Sequence, residues 1–172
     1  MLNALLRETG RPVSKKDAER IQRVHSEVYL KQAPSLRVLP GAQELLNTLA
    51  AHRVPHAIAT SGHLQIAKNA LKLLKLHDNV PVVTRDDVRF AKPDPDLFLE
   101  AGRRLKVPMS RCVIVGDSVW DLLAARRAVA LGVGLLSGGY GREELERAGA
   151  YRVYQDPAEL LQHLDEVGVR LG

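Results

Sequence analysis

Two aspartates follow a short apolar stretch of the sequence and could share one metal ion. Asp117 and Asp121 come directly after residues 112–115, which are apolar and largely β-branched, as a buried parallel strand would be. A turn at Gly116 and a helix that begins near residue 119 would place both carboxylates beside a helix N-terminus. Such a pair suits Mg²⁺, which takes one or two carboxylates and keeps several waters. The alternative is that one aspartate caps the helix and the other is solvated.

Two further groups suit an anion rather than a cation. Thr60 and Ser61 end an apolar strand, and their hydroxyl and N–H groups could hold an anion at the start of the next helix. Lys92 lies in a loop stiffened by prolines and would offer a positive charge to a phosphate. Taken singly, these residues are better explained as an N-cap and a solvated lysine. Because ligands bind at the carboxyl ends of parallel strands, the whole set indicates a phosphate-plus-Mg²⁺ site.

The elements that must position these groups alternate along most of the chain. From residue 39 onward strands alternate with helices, which predicts an α/β fold with a parallel, doubly wound sheet. Residues 1–38 are predicted to be helical, as helices 2–8 and 14–32. We therefore expect a small helical part, 1–38, and an α/β core, 39–172. The predicted strands are 55–60, 80–84, 112–115, 133–136 and 151–154, and the predicted helices of the core are 42–51, 64–75, one ending near 106, 119–130, 142–148 and 157–167.

Composition excludes several classes of protein. The 172 residues are 45% apolar and 26% charged, as in ordinary globular domains, and the single Cys112 excludes an internal disulfide. The net charge is +5, but the basic residues are scattered without a run of five, which argues against binding to nucleic acid. No apolar run is long enough for a membrane span and no signal peptide is visible, so we expect a cytoplasmic protein without membrane contact.

Three motifs resemble those of the haloacid dehalogenase superfamily of hydrolases, in particular its phosphoglycolate phosphatase and β-phosphoglucomutase-like branch. They are Ala59-Thr60-Ser61, the Lys-Pro-Asp-Pro-Asp-Leu-Phe of residues 92–98, and the Val-Gly-Asp-Ser-Val-Trp-Asp of residues 115–121. The lysine loop and the Gly-Asp-Ser-x-x-Asp stretch at this separation form a specific pair. The resemblance covers nearly the whole chain and implies a Rossmann-like core with a helical cap.

The resemblance implies an Mg²⁺-dependent phosphatase that acts on phosphorylated small molecules through an aspartyl-phosphate intermediate. In that reading Thr60 binds the phosphoryl oxygen with help from the Ser61 amide, and Lys92 neutralises the phosphoryl group and the nucleophile. Asp117 ligates Mg²⁺, and Asp121 supports the ion or its waters. The charge stabilisation that these groups provide would supply most of the rate acceleration.

The chain departs from the family at the first motif, Asp-x-Asp-x-(Thr/Val), which supplies the nucleophile. The only Asp-x-Asp is Asp94-Pro95-Asp96, which lies in the lysine loop and follows no apolar strand. In the family this strand lies between the strands that end here at Ser61 and Gly116, and the cap follows it. We therefore expect residues 1–38 to be the remnant of a cap, Met1 to lie inside it, and residues 39–172 to be a core without its first strand.

Loss of a central strand would leave its two neighbours with unpaired edges. We expect these two strands to pair with each other, or a second chain, as in a homodimer, to cover the gap. The resemblance also implies that this chain is inactive, because it lacks the nucleophile. Two alternatives stay open, namely a non-catalytic phosphate- or metal-binding or oligomeric remnant, and a sugar-phosphate mutase.

Overall fold

Strands and helices alternate from residue 42 onward, as the sequence predicts. The structure, a computed structural model, describes residues 14–171, so the predicted helix 2–8 lies outside the described residues. The strands are β1 (Ile58–Ala59), β2 (Val82–Val83), β3 (Val113–Gly116), β4 (Leu131–Leu135) and β5 (Ala150–Tyr154). The helices are α1 (Lys15–Gln32), α2 (Ala42–Ala51), α3 (Leu64–Leu73), α4 (Asp96–Leu105), α5 (Val119–Arg127), α6 (Arg142–Ala148) and α7 (Pro157–Gln162).

All strand pairs in the described residues are parallel, but they form two separate sheets. β1 pairs with β2 in one sheet, and β3, β4 and β5 pair in that order in the other. The fold is thus the predicted α/β class with parallel strands and covering helices. The expectation that the strands ending at Ser61 and Gly116 pair with each other is wrong for this structure, since β1 and β3 share no ladder.

The helices that pack against β1 and β3 explain why these two strands do not pair with each other. Phe98 of α4 and Ala124 of α5 belong to one buried cluster, which contacts Ala59 of β1 and Ile114 of β3. The cluster joins the two sheets, and because it packs against both strands it fixes their positions. At the carboxyl end the Lys92 ammonium donates to the Ala59 carbonyl, on the edge of β1 that β2 does not use.

The edges of β1 and β3 that face away from their partners define what we call the β1–β3 gap. The N–H groups of Ile58 and Thr60 bond to β2 and its flanking residue, so the backbone of Ala59 points the other way. By the same alternation the backbone of Val113 and Val115 points away from β4. Val115 is 43% exposed, whereas Val133 in β4 is fully buried. β3 therefore has an open side that a middle strand of an α/β sheet normally lacks.

Two further buried clusters cover both faces of β4 and β5. One cluster packs these strands against α7 and the turn after it, and a second packs them against α5 and α6. The buried members of the first cluster are Val133, Leu135, Tyr154, Leu160, Leu164 and Val167, and those of the second are Leu122, Leu145, Ala148 and Val153.

None of the helices among residues 14–171 is long and apolar enough to cross a lipid bilayer.

An ion pair fastens α4 to the end of β2 and makes stability depend on pH. Asp87 accepts hydrogen bonds from Arg104 at 2.6 Å and from the N–H of Thr84 at 2.8 Å, and these lower its pKa to about 2. Because the folded-state pKa lies below the unfolded value, the stabilisation is complete above about pH 4 and is lost as the pH falls towards 2. We expect Asp87→Asn to lower the free energy of unfolding by about 1–2 kcal/mol at pH 7, after discounting for solvent screening.

The test is urea unfolding of both proteins between pH 2.5 and pH 7. The difference between them should shrink as the solution becomes more acidic. Glu143→Gln is the control, because Glu143 pairs with Arg147 on the surface, where both side chains are about 80% exposed. A difference that stayed constant across this pH range would contradict the assignment to Asp87.

Candidate active site

The first turn of α5 holds Asp121 in a fixed position. Ser118 and Asp121 form a capping box: the Ser118 hydroxyl accepts from the Asp121 N–H, and Asp121 Oδ2 accepts from the Ser118 N–H at 3.1 Å. The Ser118 hydroxyl also lies 2.6 Å from that oxygen. A Cβ on Gly116 would lie 2.2 Å from the Asp121 Cβ, so only glycine fits there. Asp121 is 6% exposed and leaves Oδ1 for a partner outside the helix.

That partner is Lys92. The ammonium lies 2.6 Å from Asp121 Oδ1 and donates to the Ala59 carbonyl at 3.2 Å, and the lysine side chain is 17% exposed. The ring of Phe98 lies 5.4 Å from the same nitrogen. Since an ammonium carries three donors, two bonds to protein leave one N–H for a ligand. The Lys92 ammonium is therefore fixed by two protein contacts, and it is not the solvated lysine that was the alternative interpretation of the sequence.

Asp117 lies in the turn before α5. Burial, and then the charge of Asp121, raise the pKa of its carboxyl above the usual value, and the Asp117 N–H and Lys92 oppose this in part. Gly138, after β4, approaches so closely that a Cβ there would lie 2.1 Å from the Asp117 carbonyl oxygen. Two neighbouring carboxylates under partial burial form a site that favours a bound cation.

Thr60 and Ser61 follow β1 directly, beside the Ala59 carbonyl that Lys92 contacts. The Gly62 N–H donates to Thr60 Oγ1 at 3.2 Å, which leaves the Thr60 O–H proton free to donate. Neither the N–H nor the hydroxyl of Ser61 makes a hydrogen bond to another residue in 14–171. These groups are open donors at the carboxyl end of β1, as an anion-binding loop requires.

The start of α3 is already occupied by a carboxylate. Asp86 Oδ2 accepts from the Leu64 N–H at 2.8 Å, and Oδ1 lies 2.5 Å from His63 Nδ1. The hydrogen bond to His63 contributes most to lowering the pKa of Asp86. The first N–H of α3 is therefore not available to an anion, and the open donors at this strand end are those of Thr60 and Ser61.

The structure gathers most of the predicted site residues at one edge of the fold. Lys92 links β1 to α5 through Ala59 and Asp121, and Asp117 is within electrostatic range of both charges. Among residues 14–171 no group of three or more His, Cys, Asp or Glu side chains could hold a metal, so the carboxylate pair would need waters or substrate oxygens to complete a shell. The pair fits Mg²⁺ in that sense.

Some contacts of this site carry no signal in the sequence. The bond between Lys92 and Asp121 and a hydrogen bond from Arg127 to the Pro93 carbonyl join residues far apart in the chain. Ser-x-x-Asp at residues 118–121 is a capping-box pattern and could have predicted the role of Asp121 in the helix start. Asp96, the second aspartate of the Asp-x-Asp in the lysine loop, accepts a hydrogen bond from the Phe90 N–H.

Comparisons with known proteins show which family the chain resembles. A sequence model of haloacid dehalogenase-like hydrolases matches residues 3–128. The chain is 37% identical over 107 residues to a validoxylamine A 7'-phosphate phosphatase of Streptomyces hygroscopicus, covering 62% of this chain and 50% of that protein. It is 35% identical over 124 residues to a phosphoglycolate phosphatase of Rhodospirillum rubrum, covering 72% and 51%. The chain thus spans about half the length of these relatives.

Solved structures give the same result over more of the chain. A hydrolase from Pseudomonas syringae superposes with a TM-score of 0.90 at 51% identity, over 96% of this chain and 76% of that one. A haloacid dehalogenase family hydrolase from Deinococcus radiodurans, solved with bound phosphate and sodium, superposes with a TM-score of 0.72 at 28% identity, over 96% and 74%. The chain belongs to the family of haloacid dehalogenase-like hydrolases.

Proposed function

We propose that this chain carries the phosphate- and Mg²⁺-binding groups of a phosphomonoester hydrolase and that it does not turn over substrate by itself. The observation that supports this most is the position of the Lys92 ammonium, which is held by Ala59 and Asp121 at the edge where Thr60 and Asp117 also lie. Phosphatases among the relatives and a phosphate in the Deinococcus radiodurans structure point to the same class of ligand.

Each group has a distinct part in binding. The Thr60 hydroxyl and the Ser61 N–H would donate to two phosphoryl oxygens, and the third N–H of Lys92 would donate to another. Asp117 would hold Mg²⁺, with Asp121 supporting the ion through its waters. When bound, the ion polarises the phosphoryl oxygens and neutralises their charge. Asp121 would also keep Lys92 at the distance that a phosphoryl group needs.

The attacking carboxylate has no candidate in this set. Asp117 and Asp121 are assigned to the metal and to Lys92, and Asp94 and Asp96 belong to the lysine loop. In the family the nucleophile follows a strand that would occupy the β1–β3 gap. We propose that another strand covers this gap in the working protein, and that a second copy of the chain, in a homodimer, is one way to supply it.

The test combines binding with turnover. Inorganic phosphate is expected to bind in the presence of Mg²⁺, as measured by calorimetry, and Asp117→Asn should abolish the dependence on Mg²⁺. Hydrolysis of p-nitrophenyl phosphate should stay at background. Brisk hydrolysis that Asp117→Ala abolishes would overturn the claim of inactivity. Absence of phosphate binding at millimolar concentrations would overturn the proposed site itself.

A further inference from the structure

We infer that Arg127 is a positioning residue for Lys92, and this inference rests on the proposed function. Arg127 lies in the last turn of α5, away from the loop in sequence, and its guanidinium Nη1 donates to the Pro93 carbonyl at 3.0 Å. The same nitrogen lies 3.9 Å from Asp94 Oδ1. Arg127 thereby holds the backbone on the carboxyl side of Lys92, although it does not touch the ammonium.

Helix α5 contacts the lysine loop at two separate points. Asp121 in its first turn holds the ammonium, and Arg127 in its last turn holds the next residue's carbonyl. Six residues of α-helix rise about 9 Å. An extended lysine side chain spans about 6 Å from Cα to Nζ. The two contacts therefore place the Pro93 carbonyl at the Arg127 guanidinium and the Lys92 ammonium at Asp121, at opposite ends of α5.

The backbone of the lysine loop at Pro93 depends on the hydrogen bond from Arg127. Pro93 is fully buried, so its carbonyl needs a protein partner, and Arg127 supplies one. At the other end the ring of Phe98 lies beside the ammonium and fills the space between α4 and α5. Without the guanidinium the loop can shift along α5, and displacement of a charged group by about 1 Å is enough to weaken its binding to ligand substantially.

The experiment compares two neighbouring arginines. Arg127→Gln removes the contact, whereas Arg126→Gln removes the same charge from an exposed side chain that makes no hydrogen bond or ion pair with another residue in 14–171. Phosphate affinity is measured by calorimetry with Mg²⁺ present. The Lys92 ammonium is followed by ¹H–¹⁵N NMR, its signal being assigned with Lys92→Met.

Arg127→Gln is expected to weaken phosphate binding about tenfold and to broaden the Lys92 ammonium signal. Arg126→Gln should change the affinity less than about twofold, since distant exposed charges are screened. A purely structural role would lower the midpoint of thermal unfolding without changing phosphate affinity in the folded protein. That result, or a sharp ammonium signal in Arg127→Gln, would overturn the inference.

Two further measurements separate the possible failures. If Lys92→Met also leaves phosphate affinity unchanged, the proposed phosphate site is wrong; if only Lys92→Met weakens it, the role of Arg127 is wrong. Should Arg127→Gln not fold, Arg127→Lys replaces it. Lysine keeps the charge without the planar fork, and it is expected to weaken phosphate binding to a smaller extent. Unchanged affinity in Arg127→Lys would then overturn the inference.

Discussion

Asp121→Ala is expected to lower the free energy of unfolding by about 3–5 kcal/mol, which is the range for removing one partner of a buried ion pair. Asp121 and Lys92 lie 2.6 Å apart with side chains only 8% and 17% exposed, so the variant leaves an ammonium without its counter-charge. The change also removes the carboxylate that accepts the Ser118 N–H at the start of α5. Both losses act on the same helix, which packs against β3 and β4.

Replacement of the neighbouring Asp117 is expected to have the opposite effect on stability. Burial and the charge of Asp121 raise the pKa of Asp117, so ionised Asp117 is less favourable in the folded state than in the unfolded chain. Its carboxylate therefore costs stability at neutral pH, and the cost disappears as the pH falls through the folded-state pKa. Asp117→Asn keeps the shape and removes the charge, so it should stabilise the protein when no Mg²⁺ is present.

Urea unfolding at pH 7 in a chelator measures both changes. Asp78→Asn is the control, because Asp78 is exposed and lies far from this edge in the sequence. Addition of Mg²⁺ should then stabilise the wild-type protein and leave Asp117→Asn unchanged, because a ligand stabilises only the state that binds it. If both aspartate variants lost similar stability, the division of roles between a metal ligand and a lysine partner would be wrong.

The outline of the fold follows from local patterns. Helix α2 occupies residues 42–51 and α6 residues 142–148, as predicted, because Gly41 and Gly149 take left-handed conformations that bound them. Helix α5 ends at Arg127 rather than near 130, since the chain turns at Val129, where φ is 59°. Apolar periodicity shows where a helix should lie, but it does not show where the chain must turn to reach the next strand.

Strand lengths depend on neighbours and were predicted less well. The predicted strand 55–60 is reduced to Ile58–Ala59, and 80–84 to Val82–Val83. A residue belongs to a strand only when its backbone is paired, and β1 has a partner on one side only. By contrast β4 and β5 pair with each other along most of their length and span five residues each. Sequence patterns report the apolar character of a segment but not how far a neighbouring strand pairs with it.

Some features of the site could also be predicted from the sequence, and others could not. Thr60, Lys92 and Asp117 could be predicted as neighbours because parallel strands bring their carboxyl ends to one edge. The contacts of Asp121 with Lys92 and of Arg127 with Pro93 could not, because they depend on how α5 packs against a loop about 30 residues away. The hydrogen bond from the first N–H of α3 to Asp86 could not be predicted either, because it depends on where the turn after β2 lies.

A peptide that supplies the strand and the nucleophile that we propose for the β1–β3 gap is expected to raise hydrolysis of p-nitrophenyl phosphate by at least about 10³-fold over background. In the β1–β3 gap the N–H of Ala59 and the backbone groups of Val113 and Val115 make no hydrogen bond within residues 14–171, whereas the Ala59 carbonyl accepts from Lys92. An added parallel strand would bond to these open groups. A strand of five β-branched residues followed by Asp-Val-Asp-Gly-Thr would bring a carboxylate to the edge where Lys92 and Asp117 lie. The size of the gain reflects how much rate an enzyme loses without its nucleophile.

Two matched controls separate catalysis from binding. The same peptide with asparagine at its first aspartate should bind equally well and give no hydrolysis, and the active peptide should fail with Lys92→Met. Binding is followed by sedimentation, which also shows whether the protein alone is a dimer and whether the peptide dissociates it. A dimer that the peptide converts to monomers would mean that a second copy covers the same gap. If the peptide bound without any gain in hydrolysis, the gap would accept a strand but would not place its carboxylate against the phosphoryl site.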